Sequence, residues 1–476
     1  MSSTGLRSVL EGISKSLPQI SKPGRKLSLG ERLAWSAIAV AIYQAMSSIV
    51  LYGLPTGAQT QTNFLLSVIF ASSIGTLTTL GVGPIVTAGL ILQLLVGAQI
   101  IKLDLTKSED RALFTSTSKF LSVIVAIFQA FAYIQAGFFG VLSPNVQALV
   151  FLQLVAATVV IIFLDELVQK GWGIGSGISL FIVSGVAVQV LDDLVSPVIL
   201  QDGFYHGVIL AIFQALTGGG DVNSLFVRHV AFRGDILGLI STFTLLALLV
   251  YIEGVRVNIP IAYAKVSGYR STYPIKLLYV SNVPIIFAST VFQNIYYFSS
   301  IIWARFNSDN SNVFLNVLGT FKTVENAAPA PTGGLAYYVM GPANFVDASA
   351  DPIRAVAFVF LMVGFSVLFA KFWVSIGGLA PEKVAEQLVS AGMQVPGFRR
   401  SPAVIAPVLR KYVNVVTIVG AVIIGVMASA ANYLNVYGTG IGLLLTISIL
   451  HQLYLTLVRQ RLTEQYPAVA KLLGEA

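Results

Sequence analysis

Charged residues along this 476-residue chain fall in clusters separated by long uncharged, apolar stretches. None lies between Arg32 and Lys102, Lys119 and Asp165, Lys276 and Arg305, or Lys411 and Arg459. A membrane-spanning helix needs about 20 predominantly apolar residues. The first, second and fourth stretches can therefore each hold two spans joined by a short turn. Single spans fit at about 172–191, 236–253, 276–300 and 353–375. The pattern predicts an all-α polytopic membrane protein of ten transmembrane helices. Ahead of them, in "TGLRSVLEGISKSLPQI", Leu6, Val9, Leu10, Ile13 and Leu17 recur at helical spacing between charges, the signature of an amphipathic helix at an interface. That segment has no compact apolar core followed by a small-residue cleavage site, so it does not read as a cleavable signal peptide.

The expected spans are interrupted by helix breakers, and the interruptions repeat. The second span contains "GVGPIVTAG" with Pro84, and the seventh contains "VSNVPIIFAST" with Pro284. The fifth opens with "GIGSGISLFI" and the tenth with "GTGIGLLLTI". Breakers at matching places in two five-span halves predict inverted repeats, because an odd number of spans per half reverses its orientation. In such folds, interrupted helices at corresponding positions point to a site at the repeat interface near mid-membrane. The expected organisation is a segment 1–32, a first half 33–192, an external loop 193–235, a second half 236–458 with loops 254–276 and 377–411, and a tail 459–476.

Composition agrees with the pattern: 55% hydrophobic and 11% charged residues, against roughly 25% charged in soluble domains. Charge adds orientation. With the N-terminus inside, the inside segments hold 24 of the 29 Lys and Arg, and only Arg228, Arg233, Arg305, Lys322 and Arg354 lie outside. The positive-inside rule then makes both termini cytoplasmic. The basic face suits either anionic lipid headgroups or an acidic or RNA-rich partner. There is no cysteine, hence no disulfide, thiol nucleophile or Cys metal site.

Catalytic and coupling chemistry is sparse. His206, His229 and His451 are scattered, and no HExxH, P-loop or nucleophile-elbow motif occurs. "GIGSGI" at 173–178 lacks the strand–turn–helix setting of a dinucleotide loop. Coupled transporters place ionisable groups within their spans, whereas polar residues at depth here are neutral: Thr87, Gln93, Gln129, Gln189, Asn282 and Asn432. These serve as helix–helix contacts or as a site. No cofactor or metal is expected. Reading on from the breakers, Val82, Val86, Ile178, Ile182 and Ile286, with the 443–445 leucine run, are either packing residues or a hydrophobic constriction that excludes ions by dewetting. Two function classes remain open: a pore with an apolar constriction, or a facilitative small-solute transporter with inverted repeats, which would be expected to carry a polar midplane pocket. An intramembrane enzyme is a distant third.

The segments "GTLTTLGVGPIVTAGLILQLL", "RALFTSTSK", "LDELVQKGWGIGSGISLFI", "YPIKLLYVSNVPIIFA", "GFRRS" and "GTGIGLLLTISI" resemble, in order, those of the SecY family, the alpha subunit of the Sec protein-conducting channel. The wording "GVGPIVTAG" with "RALF" is closer to its archaeal and eukaryotic branch.

The resemblance implies a clam-shell of two five-helix halves around a central pore that passes unfolded polypeptides and releases hydrophobic segments into lipid. It also implies an aliphatic pore ring of Val82, Val86, Ile178, Ile182, Ile286 and Leu445. It implies a plug helix at 64–74, comprising Phe64, Leu65, Leu66, Ser67, Val68, Ile69, Phe70, Ala71, Ser72, Ser73 and Ile74. A lateral gate would lie between the second and third spans and the seventh and eighth, with Thr87, Gln129 and Asn282 as its polar groups. Arg256, Lys265, Arg270, Arg399 and Arg400 would dock a ribosome or another cytosolic driving partner, although positive-inside bias accounts for their charge equally well. Further implied partners are a SecE-type (gamma) and a small beta or SecG-type single-span subunit, signal peptides and nascent chains, and membrane lipids. The implied location is the plasma membrane.

Overall fold

Ten helices stand at the ten expected spans in the computed structural model, which describes residues 12, 18–54, 71–101, 103, 107–140, 142–200, 203–218, 222–228, 234–263, 270–280, 283–324, 327–342, 344–394 and 401–465. In order they are Leu29–Ser48, Gly83–Gly97, Ser108–Gln135, Pro144–Leu167, Gly177–Val195, Ile236–Gly254, Val283–Phe306, Pro352–Ile376, Pro402–Tyr433 and Gly440–Gln465. Eight are long and apolar enough to cross a membrane. The second is not. Its 15 residues reach roughly 22 Å, short of a hydrocarbon core of about 30 Å.

Helix starts follow local chemistry. Ser28 caps the first span through a reciprocal capping box: Ser28 Oγ accepts from Glu31 N (3.3 Å), and Glu31 Oε2 accepts from Ser28 N (2.9 Å). Pro144, Pro352 and Pro402 sit in first turns, where the missing N–H costs nothing. The fourth span ends in a turn of π-helix, Val168–Trp172, and its buried Asp165 reaches across to begin the fifth. Asp165 Oδ1 accepts from Ile178 N (3.0 Å) and Ser176 Oγ (3.3 Å). Only glycine fits at 177, since a Cβ there would lie 2.6 Å from Asp165 Cα.

One apolar core runs through both halves, from Tyr43, Leu154 and Phe181 to Phe292, Tyr296 and Leu444. Two regions expected to be plain loops are ordered. On the basic face, β1 (Arg256–Tyr263) and β2 (Arg270–Lys276) form an antiparallel hairpin. On the opposite face, β3 (Thr320–Val324) pairs with β4 (Ala327–Gly333), beside the short helices Val313–Asn316, Gly334–Val339 and Phe345–Ala350. After the eighth span and the helix Pro381–Ser390, β5 (Met393–Gln394) pairs with β1 as well, matching Ala262 with Gln394 and Tyr263 with Met393. The loops 254–276 and 377–411 thus share one three-stranded sheet over a second core of Ile259, Ile275, Leu388 and Leu409.

The segment between the fifth and sixth spans is tied down by buried polar groups. Arg228 donates to the carbonyls of Tyr205 (3.0 Å), His206 (3.3 Å) and Gly234 (3.2 Å). Asp235 caps the sixth span, accepting from Gly238 N at 2.7 Å, and its own carbonyl accepts from Tyr437 Oη at 2.6 Å. Burial pushes the Asp235 carboxyl up to about 6.

Candidate functional site

The breaker segment before the second helix is a turn held by its own threonines. Thr76 Oγ1 donates to Ser73 O (2.6 Å), Thr79 Oγ1 donates to Thr76 O (2.6 Å), and Gly75 N donates to Thr79 Oγ1 (3.1 Å). Thr78 and Thr79 are fully buried, so these bonds satisfy groups that lipid and protein alike would leave stranded. Leu51 N donates to Gly75 O (2.8 Å) and Leu77 N to Ile49 O (3.0 Å), which pins the turn to the end of the first span. Gly81, at φ +51°, makes the last reversal before Pro84 opens the helix.

Directly after that reversal come the aliphatic residues. Val82 is the N-cap of the second span and Val86 lies one turn in. Ile178 and Ile182 occupy the first two turns of the fifth span, Ile286 the first turn of the seventh and Leu445 the second turn of the tenth. Val82, Ile182 and Leu445 are buried at 0%, 2% and 0% exposure, and Val86, Ile178 and Ile286 pack against the same core. All six therefore belong to the one apolar core that runs through both halves, and they come from the starts of four helices. No metal-binding group of His, Asp and Glu occurs among the described residues.

Of the expected plug, Phe64, Leu65, Leu66, Ser67, Val68, Ile69 and Phe70 lie outside the described residues. Ala71, Ser72, Ser73 and Ile74 are described and none is helical. Ala71 is held by the first span. Its carbonyl accepts from Tyr43 Oη of the first span at 2.5 Å, and Tyr43 stacks on Phe181 of the fifth at 4.3 Å and 6°.

The second and third spans touch the seventh, and the second touches the eighth. Thr87 and Gln129 are buried there, and Asn282 lies outside the described residues. The polar bonds that cross this boundary belong to other side chains. Tyr133 of the third span hydrogen-bonds Tyr297 of the seventh through their hydroxyls, and Gln293 Nε2 donates to Tyr297 Oη at 2.5 Å. The two phenol rings lie 4.7 Å apart. Arg305 donates to Gln135 Oε1, and Phe128 meets Phe298 at 5.5 Å. Hydrophobic patterning could not single these residues out. Tyrosines in an apolar helix look like packing until their partners are known.

Of the expected docking residues, Arg256 is exposed at the start of β1, and Arg270 opens β2 opposite Ala262. Lys265, Arg399 and Arg400 lie outside the described residues. In the loop 377–411, Arg410 pairs with Glu382, both exposed.

The SecY family profile matches residues 76–454. The protein translocase subunit SecY of Pyrococcus furiosus is 37% identical over 489 residues, covering 99% of this chain and 100% of that one. Its counterpart in Saccharolobus solfataricus is 36% identical, covering 96% and 97%. A solved structure of a protein conducting channel superposes with a TM-score of 0.81 at 33% identity, covering 97% of this chain and 99% of that chain. Sec61 in the canine ribosome-channel complex from the endoplasmic reticulum gives 0.78 at 33% identity, with the same coverage. With a matched profile over most of its length and such relatives end to end, this chain belongs to the SecY family.

Proposed function

We propose that this protein is the pore-forming subunit of a protein-conducting channel. It passes unfolded polypeptides across the membrane and releases hydrophobic segments sideways into lipid. The observation that supports this reading most is that Val82, Val86, Ile178, Ile182, Ile286 and Leu445, all aliphatic and at the starts of four helices, belong to the apolar core. A channel for arbitrary sequences cannot rely on specific polar contacts, which would trap some substrates and reject others. A ring of flexible apolar side chains fits any chain and still opposes ions by dewetting. Two of the six are valines, which leaves the ring slightly wider than an all-isoleucine one. The buried Thr-rich turn and the Tyr43–Ala71 bond hold the chain leaving the plug segment against the first and fifth spans, consistent with a closed state.

Thr87, Gln129, Asn282 and the Tyr133–Tyr297 pair form the lateral gate in this reading. Through it a segment partitions by its own hydrophobicity, at about −0.3 to −0.6 kcal/mol per central Leu, Ile, Phe or Val and about +2.5 to +3.5 for Asp, Lys or Arg. No bond-making chemistry is required, so the driving energy comes from a cytosolic partner. The β1–β2–β5 sheet is the surface for that partner in this reading, and Arg256, Lys265, Arg270, Arg399 and Arg400 are the residues that dock it. A ribosome is favoured, because the Sec61 relative was solved in a ribosome-channel complex. One gamma-type and one beta-type single-span subunit complete the assembly, in the plasma membrane with both termini cytoplasmic.

Resting conductance in planar bilayers tests the ring. Ile182→Asn, and likewise Ile178→Asn or Ile286→Asn, is expected to raise ion leak above that of the unmodified channel. Leak at the unmodified level in all three would remove the ring assignment. Parallel preprotein-transport and small-solute uptake assays separate a protein channel from a solute transporter.

A further inference from the structure

The segment that follows the seventh span carries an apolar surface that the channel reading does not use. Val313, Phe314 and Val317 are 75%, 89% and 69% exposed. They form the outward side of the one-turn helix Val313–Asn316, whose Asn316 faces inward. This turn is fastened to the end of the seventh span. Asn307, the residue after that helix, accepts from Asn312 N at 2.9 Å and donates through Nδ2 to Asn316 Oδ1 at 2.7 Å. Trp303 Nε1 donates to Asn310 Oδ1 at 2.9 Å. The turn is thus fastened to the residue that follows Phe306, itself 75% exposed.

Two observations say what covers them. The seventh span has 24 residues, roughly 36 Å of helix, enough to put Phe306 at the level of the membrane surface. Along it, Phe298, Ile302 and Phe306 fall four residues apart on one stripe. Phe298 is half-exposed beside Phe128, on the outer side of the boundary between the third and seventh spans. The stripe therefore runs from the lipid-facing surface straight into the one-turn helix. Between them lies an exposed polar run, Ser308, Asp309, Asn310 and Ser311, matching the mixed chemistry of the headgroup layer. Amphipathic elements of this kind sink their apolar side a few ångströms into the headgroup–acyl boundary, and aromatic side chains favour that depth.

We propose that Val313, Phe314 and Val317 are a membrane anchor. They insert among phospholipids of the leaflet on the face opposite the basic one and tether the end of the seventh span to it. Because the seventh span closes against the third, the anchor sets the height of that helix in the bilayer and brings lipid to the outer mouth of the boundary.

The cysteine-free sequence allows a direct test. Single variants Phe314→Cys, Val317→Cys and, as an aqueous reference, Asp309→Cys are labelled with an NBD fluorophore. Each is reconstituted as the full chain with its membrane subunits in phospholipid vesicles. The proposal expects blue-shifted emission at 314 and 317 relative to 309, several-fold weaker quenching by aqueous iodide, and strong quenching by phospholipid carrying a shallow nitroxide. Emission and iodide quenching equal to those at 309 would overturn it. Blue-shifted emission that nitroxide lipid does not quench would overturn it too, assigning the surface to a neighbouring protein or a second copy.

Discussion

Tyr133→Phe is the most informative single change at the gate. The hydroxyl it removes makes the bond to Tyr297 across the third and seventh spans. The Tyr297 oxygen keeps its other partner, Gln293 Nε2, so no buried group is stranded. The aromatic contacts of the ring with Tyr297 and Phe138, both at 4.7 Å, survive. What is lost is the net contribution of one buried hydrogen bond, about 1 kcal/mol, taken from the closed gate alone. A leucine at the centre of a spanning segment is worth about 0.3 to 0.6 kcal/mol, so the loss equals roughly two leucines. The assay presents the reconstituted channel with test segments of increasing leucine content in an alanine background and scores insertion against full translocation. The leucine number at half insertion is expected to fall by roughly two. Tyr296→Phe is the control: its hydroxyl donates to Pro329 O at 2.8 Å, within the same half, and the midpoint should stay. An unchanged or raised midpoint for Tyr133→Phe would refute the latch.

Three further outcomes are expected. Arg399→Glu should abolish translocation driven by purified ribosomes or another motor while leaving the assembled complex intact on gel filtration; normal transport would return Arg399 to simple positive-inside charge. Gly177→Ala should destabilise the protein by about 1–3 kcal/mol, because its Cβ would sit 2.6 Å from the Asp165 backbone, and a thermal-unfolding midpoint within error of the parent would contradict that close approach. Asp235, raised by burial to about 6 in the fold from about 3.9 when unfolded, binds its proton more tightly when native. Its contribution is fully present below pH ~4 and is lost as pH rises to ~6. Thermal stability of Asp235→Asn, which keeps an acceptor for Gly238 N, should therefore be flatter across that window, and an identical slope would assign the pH dependence elsewhere.

The helices were legible because lipid excludes charge: gaps between Lys, Arg, Asp and Glu measured the spans almost directly. The second one shows the limit. Its apolar run predicts a full crossing, yet Gly81 and Pro84 leave 15 helical residues, and the buried threonine turn supplies the remaining depth. The six residues proposed for the ring could be picked out because they sit within two turns of breakers that repeat in both halves, and all six join the apolar core. The Tyr133–Tyr297 pair could not, since a helix that is apolar all round gives no periodic clue to which side meets protein. The hairpin on the basic face is legible too: Val257, Ile259 and Ile261 turn inward while Arg256, Asn258 and Pro260 stay exposed, a strand's alternation inside a charged loop.

That hairpin also has a mechanical meaning. Its two ends join at the foot, where Leu277 N donates to Val255 O at 2.9 Å, and the sixth and seventh spans leave from this point. Tyr279, two residues further on, donates to Leu379 O at 2.9 Å after the eighth span. Every strand of the sheet is rooted in the second half, and none in the first. A partner that grips the sheet therefore holds a crank attached to one shell of the clam, with its axle next to Pro284. In the proposed gate, a push too weak to bend any helix is then expected to reach the seventh span as torque rather than the first half.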